Sequence, residues 1–390
     1  MQGSNKMADP GVITIAKKEF VDHIRSRKFI IIFGILLIVA TVGILNGVAD
    51  YHAKVKDYDS VQSIISASSG GGNGLPEYLT LKPSVLLVFN EMGTLFVMIG
   101  GILGIAIGFD LVTREKESKS LKLLLAHPTY RDEVINGKAL GGIAAIAIAL
   151  AIVLVLSLAL LLITGLVPDG LELLYILLFS AVTFLYIFTW FAISLLMSTA
   201  CEENGKALIY SLVIFIVLGS LIPTVLSTPF VMEKIIGPAP EMPQVLSDQV
   251  IASLPTSGNE AKNNALTEKQ SRDAWSSFKE QIREYGDQQM RLRDALYLFS
   301  PNKNYERIVT CLTNPTMIRY TVYFTHDEGQ VQMINDKGDA LTVDTFYMPD
   351  IHFDFSGILS MIAGNIIALC VLPSVFFGLA YARFMKMDIR

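Results

Sequence analysis

Six long apolar stretches divide the chain, at about residues 29–48, 85–109, 139–167, 171–197, 207–225 and 355–381. Each holds about twenty residues or more, and a helix of that length spans the roughly 30 Å hydrocarbon core of a bilayer. Polar and charged segments separate them. The pattern therefore predicts an all-α polytopic membrane protein with six transmembrane helices, five within residues 29–228 and the sixth within residues 355–390.

The longest polar segment, residues 229–354, predicts an extracytoplasmic α+β domain inserted between helices five and six. Within residues 267–299, apolar side chains recur mostly at three- or four-residue steps, which favours a long amphipathic helix stopped by Pro301. Residues 318–325 alternate between apolar and polar positions, which favours a small antiparallel sheet of two or three strands. Residues 49–82 and the Pro-Asp-Gly sequence at 168–170 predict an outer loop and a tight outer turn.

Basic residues set the predicted orientation. The polar loop of residues 110–138 carries six of them, and others flank the first and last apolar stretches. Because cytoplasmic segments are enriched in lysine and arginine, this loop and both termini are predicted to be cytoplasmic. Residues 12–28 have apolar positions at helical spacing, so residues 1–28 are interpreted as an amphipathic helix at the inner membrane surface. An ordinary basic flank explains the same residues equally well.

The 110–138 loop contains its own predicted elements. Residues 115–126 predict a short helix, with Glu115 and Lys119 in the favourable i,i+4 order and Pro128 ending it. Thr129 is a candidate cap for the helix that follows. The same segment contains a cluster of four leucines, Leu121, Leu123, Leu124 and Leu125, which we expect to pack against another apolar surface. That surface could be the ends of the chain's own helices or another protein, and the residues alone favour the chain's own helices.

At these residues the sequence resembles the permease subunits of ABC-2-type transporters. The shared features are an acidic-rich segment at residues 114–118, a leucine-rich turn, a proline at Pro128, an arginine at Arg131 and the pair Gly137-Lys138. The sequence at 119–121 is Lys-Ser-Leu where the family usually has Gly-Thr-Leu. The resemblance covers the six-span layout.

The resemblance implies that the 110–138 loop is a coupling helix, seated in a groove of a separate ATPase subunit. It therefore reverses the preference stated above and favours docking of the leucines on another protein. The implied ATPase-coupling residues are Glu115, Glu117, Leu121, Leu124, Leu125, Pro128 and Arg131. A second permease copy, as a homodimer or heterodimer, and the lipid membrane are the other expected partners. ATP and Mg²⁺ are expected in the partner ATPase.

Two kinds of residue stand out within the apolar stretches. Gly100, Gly104 and Gly108 are spaced four apart and predict a helix face for close packing, within the subunit or, less favoured, across a dimer. Glu91 and Asn365 are polar residues in or near spans, which makes them candidates for the transport pathway. For Glu91 a position at the membrane interface is the favoured alternative.

Composition and motifs exclude several other classes of protein. A hydrophobic content of 52% and a mean hydropathy of +0.49 exclude an ordinary soluble protein. The sequence has no phosphate-binding GxxxxGK[ST] pattern and no HExxH or GxSxG motif, and its five histidines are isolated. No catalytic residue, metal ligand or resident cofactor is predicted, nor is nucleic-acid binding. Cys201, Cys311 and Cys370 lie far apart, with only Cys311 in the outer segment, so no intrachain disulfide is expected.

The sequence therefore predicts that the chain is not an enzyme but the membrane half of an ATP-driven machine. The favoured function is that of a permease subunit of an ABC exporter. The alternative is a membrane anchor that passes force from an ATPase to an outer partner without conducting cargo. An intramembrane enzyme is a third class, which no catalytic set supports.

Overall fold

The computed structural model describes residues 11–67, 83–119, 130–240, 264–313, 321–324, 330–334, 340–344 and 355–387. Within them, six helical stretches are long and apolar enough to cross a membrane: Arg27–Ser60, Val85–Glu117, Arg131–Ile163, Gly170–Ala200, Asn204–Leu226 and Phe355–Met385. The six apolar stretches predicted as transmembrane segments are therefore confirmed as helices long and apolar enough to cross a bilayer.

In chain order, the helices of the described residues are α1 (Gly11–Arg25), α2 (Arg27–Ala67), α3 (Val88–Gly108, after a 3-10 turn at Val85–Leu87), α4 (Thr113–Glu117), α5 (Arg131–Ile163), α6 (Gly170–Ala200), α7 (Asn204–Ile216), α8 (Ile222–Leu226), α9 (Pro229–Ile236), α10 (Asn264–Tyr297), α11 (Pro301–Thr313) and α12 (Phe355–Met385). Three short strands, β1 (Thr321–Phe324), β2 (Gln330–Ile334) and β3 (Ala340–Asp344), precede α12.

A single serine separates the amphipathic helix from the first span. The Ser26 hydroxyl accepts a hydrogen bond from the Phe29 N–H at 3.1 Å and donates one to the His23 carbonyl at 2.8 Å. It thus caps the start of α2 while closing the last turn of α1. The chain bends here because one residue satisfies backbone groups from both helices.

The first span does not end as a helix near residue 48. Helix α2 continues to Ala67, so the segment predicted as an outer loop begins as a helix. Residues 49–67 contain no glycine or proline to stop it, and Asp50 and Lys54 form an i,i+4 ion pair at 2.9 Å. The remainder of that predicted loop, residues 68–82, lies outside the described residues.

Helices α3 and α6 pack closely against each other. A Cβ atom at Gly104 would collide with the Ile187 carbonyl oxygen, and one at Gly108 would collide with the Ser194 hydroxyl. The third glycine, Gly100, lies against the side chains of Ile187 and Tyr186. All three glycines therefore let two helices of the same subunit approach closely.

The turn between α5 and α6 forms at the predicted Pro-Asp-Gly sequence. Asp169 precedes α6 and its carboxylate accepts from the Glu172 N–H at 2.6 Å, while Glu172 accepts from the Asp169 N–H at 3.0 Å. This reciprocal pair is a capping box. Helix α5 ends earlier than predicted, at Ile163, because Gly165 adopts a left-handed conformation with φ of 82°.

Residues 217–300 form a compact unit of their own. Its first turn, Val217–Leu221, is π-helical. Pro223 lies just beyond this turn and has no N–H to continue the regular ladder, which accounts for the local loosening. Helix α10 lies close to its predicted range, and the Tyr285 hydroxyl donates to the Gly237 carbonyl at 3.2 Å.

The predicted single domain over residues 229–354 is not supported. Residues 301–390 belong to the same compact unit as residues up to 216, whereas residues 217–300, which include the end of the fifth spanning stretch, form the other unit. Pro301 was predicted to stop the preceding helix, but it is also the first residue of α11. At that position its missing N–H breaks no hydrogen bond within the helix. Helix α11 packs against α3, α6 and α12, and Cys311 is buried there.

The three strands form an antiparallel sheet in the order β1-β2-β3. Thr321 pairs with Ile334 at one side, and Gln330 pairs with Asp344 at the other. Sequential antiparallel neighbours of this kind need only short connections. Only β1 lies within residues 318–325, whose alternation predicted a sheet, and β2 and β3 follow it along the chain.

Candidate functional site at the charged end of the bundle

Charged side chains gather at one end of the helical bundle. This charged end is formed by α1, the start of α2, the end of α3, α4, the start of α5, the turn between α6 and α7, and the end of α12. The hydrogen bonds and ion pairs described below join all of these segments. They also fix α4 immediately before residues 120–129, which lie outside the described residues.

A buried triad of charges forms the centre of this end. The Lys138 ammonium on α5 lies 2.7 Å from a carboxylate oxygen of Glu19 on α1 and 2.7 Å from one of Glu115 on α4. The Lys138 side chain is 1% exposed, Glu19 4% and Glu115 12%. Burial of a charge is expensive unless it is paired, so each carboxylate depends on this lysine. Glu115 therefore does not make the predicted pair with Lys119.

The triad is possible because α1 lies unusually close to α5. A Cβ atom at Gly141 would lie 2.7 Å from the Glu19 Cβ, and one at Gly137 would lie 2.7 Å from the Ile15 Cβ. Two glycines four residues apart thus open a groove on α5 for α1. Sequence reasoning missed Glu19, although the spacing of Gly137 and Gly141 was a visible signal.

Helix α4 is fastened to the turn between α6 and α7 by its other residues. Lys116 donates to the carbonyl oxygens of Thr199 and Cys201, both at 2.8 Å, and so caps the end of α6. Glu117 accepts from the Asn204 backbone and side-chain N–H groups, both at 2.6 Å, at the start of α7.

The start of α4 and the residue before it make a further contact with α6. The Ser198 hydroxyl accepts from the backbone N–H groups of Val112 and Thr113 at 2.9 and 3.1 Å. Residues of α4 and its N-terminal flank are therefore bonded directly to α5, α6 and α7, and to α1 through Lys138. A displacement of α4 would therefore act on several spans at once.

The start of the helix predicted over residues 115–126 differs in the structure, and residues 120–126 lie outside the described residues. Helix α4 begins at Thr113 and ends at Glu117, and Lys119 has a left-handed φ of 56°. A non-glycine residue in that conformation interrupts a right-handed helix. Helix α5 begins at Arg131 after Tyr130, whose N–H donates to Glu133 at 3.3 Å, so Tyr130 occupies the cap position expected for Thr129. Leu121, Leu124, Leu125 and Pro128 lie outside the described residues.

Arg131 has a partner within the chain. Its guanidinium donates to the carbonyl oxygens of Met385 and Met387 at 3.3 and 3.0 Å, and so caps the end of α12. This contact brings the last span to the charged end.

His23 lies beside the triad, at the end of α1. Burial lowers the pKa of His23 from its usual value, against the opposing effect of Glu19 and then of Asp110. Arg114 and Lys138 lower it further, by a smaller amount. The imidazole is thereby biased towards its neutral form.

The two pathway candidates lie away from the charged end. Glu91 is half-buried in the first turn of α3, and the side chain of the preceding residue, Asn90, accepts from Thr313 at 3.2 Å. Asn365 is buried in α12 and donates to the Asn304 side chain at 2.8 Å. Asn90 and Asn365 therefore contact α11, a helix that sequence reasoning did not predict.

Helix α11 brings further polar side chains into the bundle. The Tyr305 ring stacks on that of Tyr186 at a centroid distance of 4.5 Å, and its hydroxyl lies 3.0 Å from that of Thr183. The Tyr186 hydroxyl donates to the Asn302 side chain at 2.9 Å. Among the residues that the structure describes, no group of three or more His, Cys, Asp or Glu side chains could hold a metal ion.

Six helices long enough to span a bilayer define a multi-pass membrane protein. At its charged end, hydrogen bonds and ion pairs join α4 to the ends of several of these helices. The sequence model of the family described as "ABC-2 family transporter protein" matches residues 13–389. The chain therefore belongs to the ABC-2 family of transporter proteins, which confirms the resemblance found in its loop. A comparison with curated proteins gives no significant match.

Proposed function

We propose that the chain is the permease subunit of an ATP-driven ABC exporter. It would form the translocation pathway as a dimer and would couple to separate ATPase subunits through the 110–138 loop. The charged end and both termini would face the cytoplasm, because the basic residues of the loop and of the chain ends favour that side. Residues 229–300 and the three-stranded sheet would then be extracytoplasmic.

The observation that carries this proposal is the attachment of α4. Its residues bind α5 and α1 through Lys138, the end of α6 through Lys116, and the start of α7 through Glu117. A partner that pushed on residues 120–129 would move α4 and, with it, the ends of these helices. ATP and Mg²⁺ would bind in the partner, because this chain lacks a phosphate-binding loop.

Docking can be tested with Leu124→Asp and Leu125→Asp together. Two leucines buried at a partner surface stabilise it by about 1.5–3 kcal/mol each, so their replacement should abolish co-purification of the ATPase. The matched control is Ile282→Asp with Met290→Asp, two exposed apolar residues on α10. The double loop variant should remain monodisperse in detergent. Retention of the ATPase by that variant would place docking elsewhere, with residues 198–206 as the next region to mutate.

Arg131→Ala should weaken assembly less than the leucine variant. The Arg131 guanidinium donates its hydrogen bonds to the end of α12, so its loss should first loosen the C-terminal residues.

The isolated chain should show no saturable ATP binding by calorimetry. Saturable binding would require a nucleotide site that the sequence motifs do not predict.

Transport itself requires a flux assay. Vesicles containing the permease and its ATPase should move cargo in an ATP-dependent way, and the leucine variant should not. If the ATPase binds and hydrolyses ATP but no cargo moves, the chain is instead the non-conducting anchor.

A further inference from the structure

A cavity of about 330 Å³ opens at the charged end, between α1, the start of α2 and the end of α3. Its volume lies within the range of small-ligand sites. Its polar wall comes mainly from α1 and from the residues around Ser26, and its apolar wall comes from α2 and α3. The charged and titratable lining residues are Glu19, Asp22, His23, Arg27, Lys28, Asp110 and Arg114.

Some of these charges already have partners. Glu19 binds Lys138, and Lys28 lies 2.9 Å from Asp110. Asp22, Arg27 and Arg114 are exposed and make no hydrogen bond or ion pair with another described residue. The Nε2 atom of His23 is buried and likewise makes no hydrogen bond within the described part of the chain.

The unused groups have a particular chemical character. Two guanidinium groups, Arg27 and Arg114, suit a phosphate, because the planar fork of arginine matches its oxygens. Asp22 would repel a simple anion but would accept hydrogen bonds from an ammonium group. A ligand that carries both a phosphate and a primary ammonium therefore fits the set better than either group alone.

The other wall of the cavity is apolar and continues along the spans. Phe29 and Ile32 of α2 and Ala106 and Ile107 of α3 line it. One helical turn further from the charged end, Ile35 lies on the same face of α2 as Ile32, and Ile102 lies on the same face of α3 as Ala106. These two isoleucines are 44% and 46% exposed. A polar head in the cavity could thus continue as an apolar chain along α2 and α3.

We propose that this cavity binds the headgroup of a phospholipid that carries a phosphate and a primary ammonium, as phosphatidylethanolamine does. Arg27 and Arg114 hold the phosphate, Asp22 holds the ammonium, and an acyl chain follows Ile35 and Ile102. Such a lipid would hold α1 against the membrane at the Ser26 bend. This site is independent of ATP coupling and of the proposed transport function.

The test is lipid competition on the full-length protein. Purified, delipidated chain is placed in mixed micelles containing equal amounts of phosphatidylethanolamine, phosphatidylcholine and phosphatidylglycerol, and bound lipid is measured by native mass spectrometry. Phosphatidylethanolamine should be retained about tenfold over each of the others, as expected for one good charged hydrogen bond. Phosphatidylcholine has no N–H to give to Asp22, and phosphatidylglycerol has no cation.

Two variants separate the parts of the site. Arg27→Gln with Arg114→Gln should lower retention of phosphatidylethanolamine about tenfold. The matched control, Arg283→Gln with Arg291→Gln on α10, removes the same charge from exposed residues and should leave retention unchanged. Asp22→Asn should reverse the preference, so that phosphatidylglycerol is retained over phosphatidylethanolamine.

Soluble competitors distinguish a lipid from a free ion. Glycerophosphoethanolamine should displace the lipid partially, and inorganic phosphate should not. Equal retention of the three lipids would overturn the proposal, as would equal retention by the arginine variant and its control. Displacement by inorganic phosphate as effective as that by glycerophosphoethanolamine would show a simple anion site and would also overturn it.

Discussion

Two short helices, α4 and α11, are fastened to the spanning helices in different ways. Helix α4 is held mainly by charged side chains, with Glu115, Lys116 and Glu117 each bound to a different part of the bundle. The described hydrogen bonds between α11 and the spans join neutral groups, including the Tyr305 and Thr183 hydroxyls and the Asn304 and Asn365 amides, while Lys303 and Glu306 pair with each other within the helix. The difference follows from where each helix lies along the spans.

Helix α11 reaches deep between the spans. The Tyr186 hydroxyl donates both to the side chain of Asn302, near the start of α11, and to the Val97 carbonyl. Val97 lies nine residues after Val88, the first residue of α3. Nine residues of helix correspond to about 14 Å, which is about half of the bilayer core. A charge at that depth costs several kcal/mol, whereas neutral hydrogen bonds satisfy buried groups at much lower cost. Helix α4, beyond the last turn of α3, is free of this restriction.

The largest effect is expected from removal of the central lysine of the triad. Lys138→Met leaves Glu19 and Glu115 buried without their cation, which should destabilise the protein by about 3–5 kcal/mol. Thermal unfolding in detergent measures the loss. The control is Lys206→Met, which removes a lysine from an exposed ion pair with Glu203 and should cause no measurable change.

A triple variant sharpens this result. Glu19→Gln, Glu115→Gln and Lys138→Met together remove the charges, so most of the lost stability should return. If Lys138→Met were as stable as the Lys206→Met control, the triad would not be a buried ionic contact, and the contrast between α4 and α11 would disappear.

A smaller and salt-independent effect is expected at α11. Tyr305→Phe keeps the ring stacked on Tyr186 and removes only the hydroxyl contact with Thr183, which should cost about 1 kcal/mol. Added Thr183→Val should cost little more, because both partners are then apolar. A loss of 3 kcal/mol or more for the single variant, on the scale of the triad, would contradict the distinction between neutral and ionic attachment.

The sequence predicted the charged end better than α11 for a physical reason. Hydropathy identifies long apolar helices and the charged loop between them, and it found all six spans. Helix α11 is short and begins with Pro301, and it carries polar residues such as Asn302 and Asn304, which make hydrogen bonds with side chains on other helices. The residues next to α11 in the sequence do not indicate those partners, which lie far along the chain. For the same reason Glu115 was paired with nearby Lys119, although its partner is Lys138, 23 positions further along the chain.

The pH dependence of stability should report on His23. Because burial lowers its pKa, the folded protein binds fewer protons at this site than the unfolded chain does. Stability from the neutral imidazole is therefore complete above the unfolded pKa of about 6.5 and is lost as the pH falls through the folded pKa. His23→Gln should flatten unfolding temperature against pH over that interval. An unchanged pH profile would assign the acid sensitivity to other groups.

The smallest effect is expected at Glu91, the one acidic residue of α3. It lies in the first turn of its helix, where the helix dipole favours a negative charge by about 0.3–1 kcal/mol, and it is half-buried rather than deep in the bundle. Glu91→Gln keeps the shape and removes the charge, so stability should fall by less than about 1 kcal/mol. Cargo flux should be unchanged across the pH range in which carboxylates titrate, since the residue lies near the end of the span. The control is Glu91→Asp, which keeps the charge and shortens the side chain. A tenfold fall in flux for Glu91→Gln alone would make this carboxylate part of the transport pathway and would show that a charge can act beside the neutral contacts of α11.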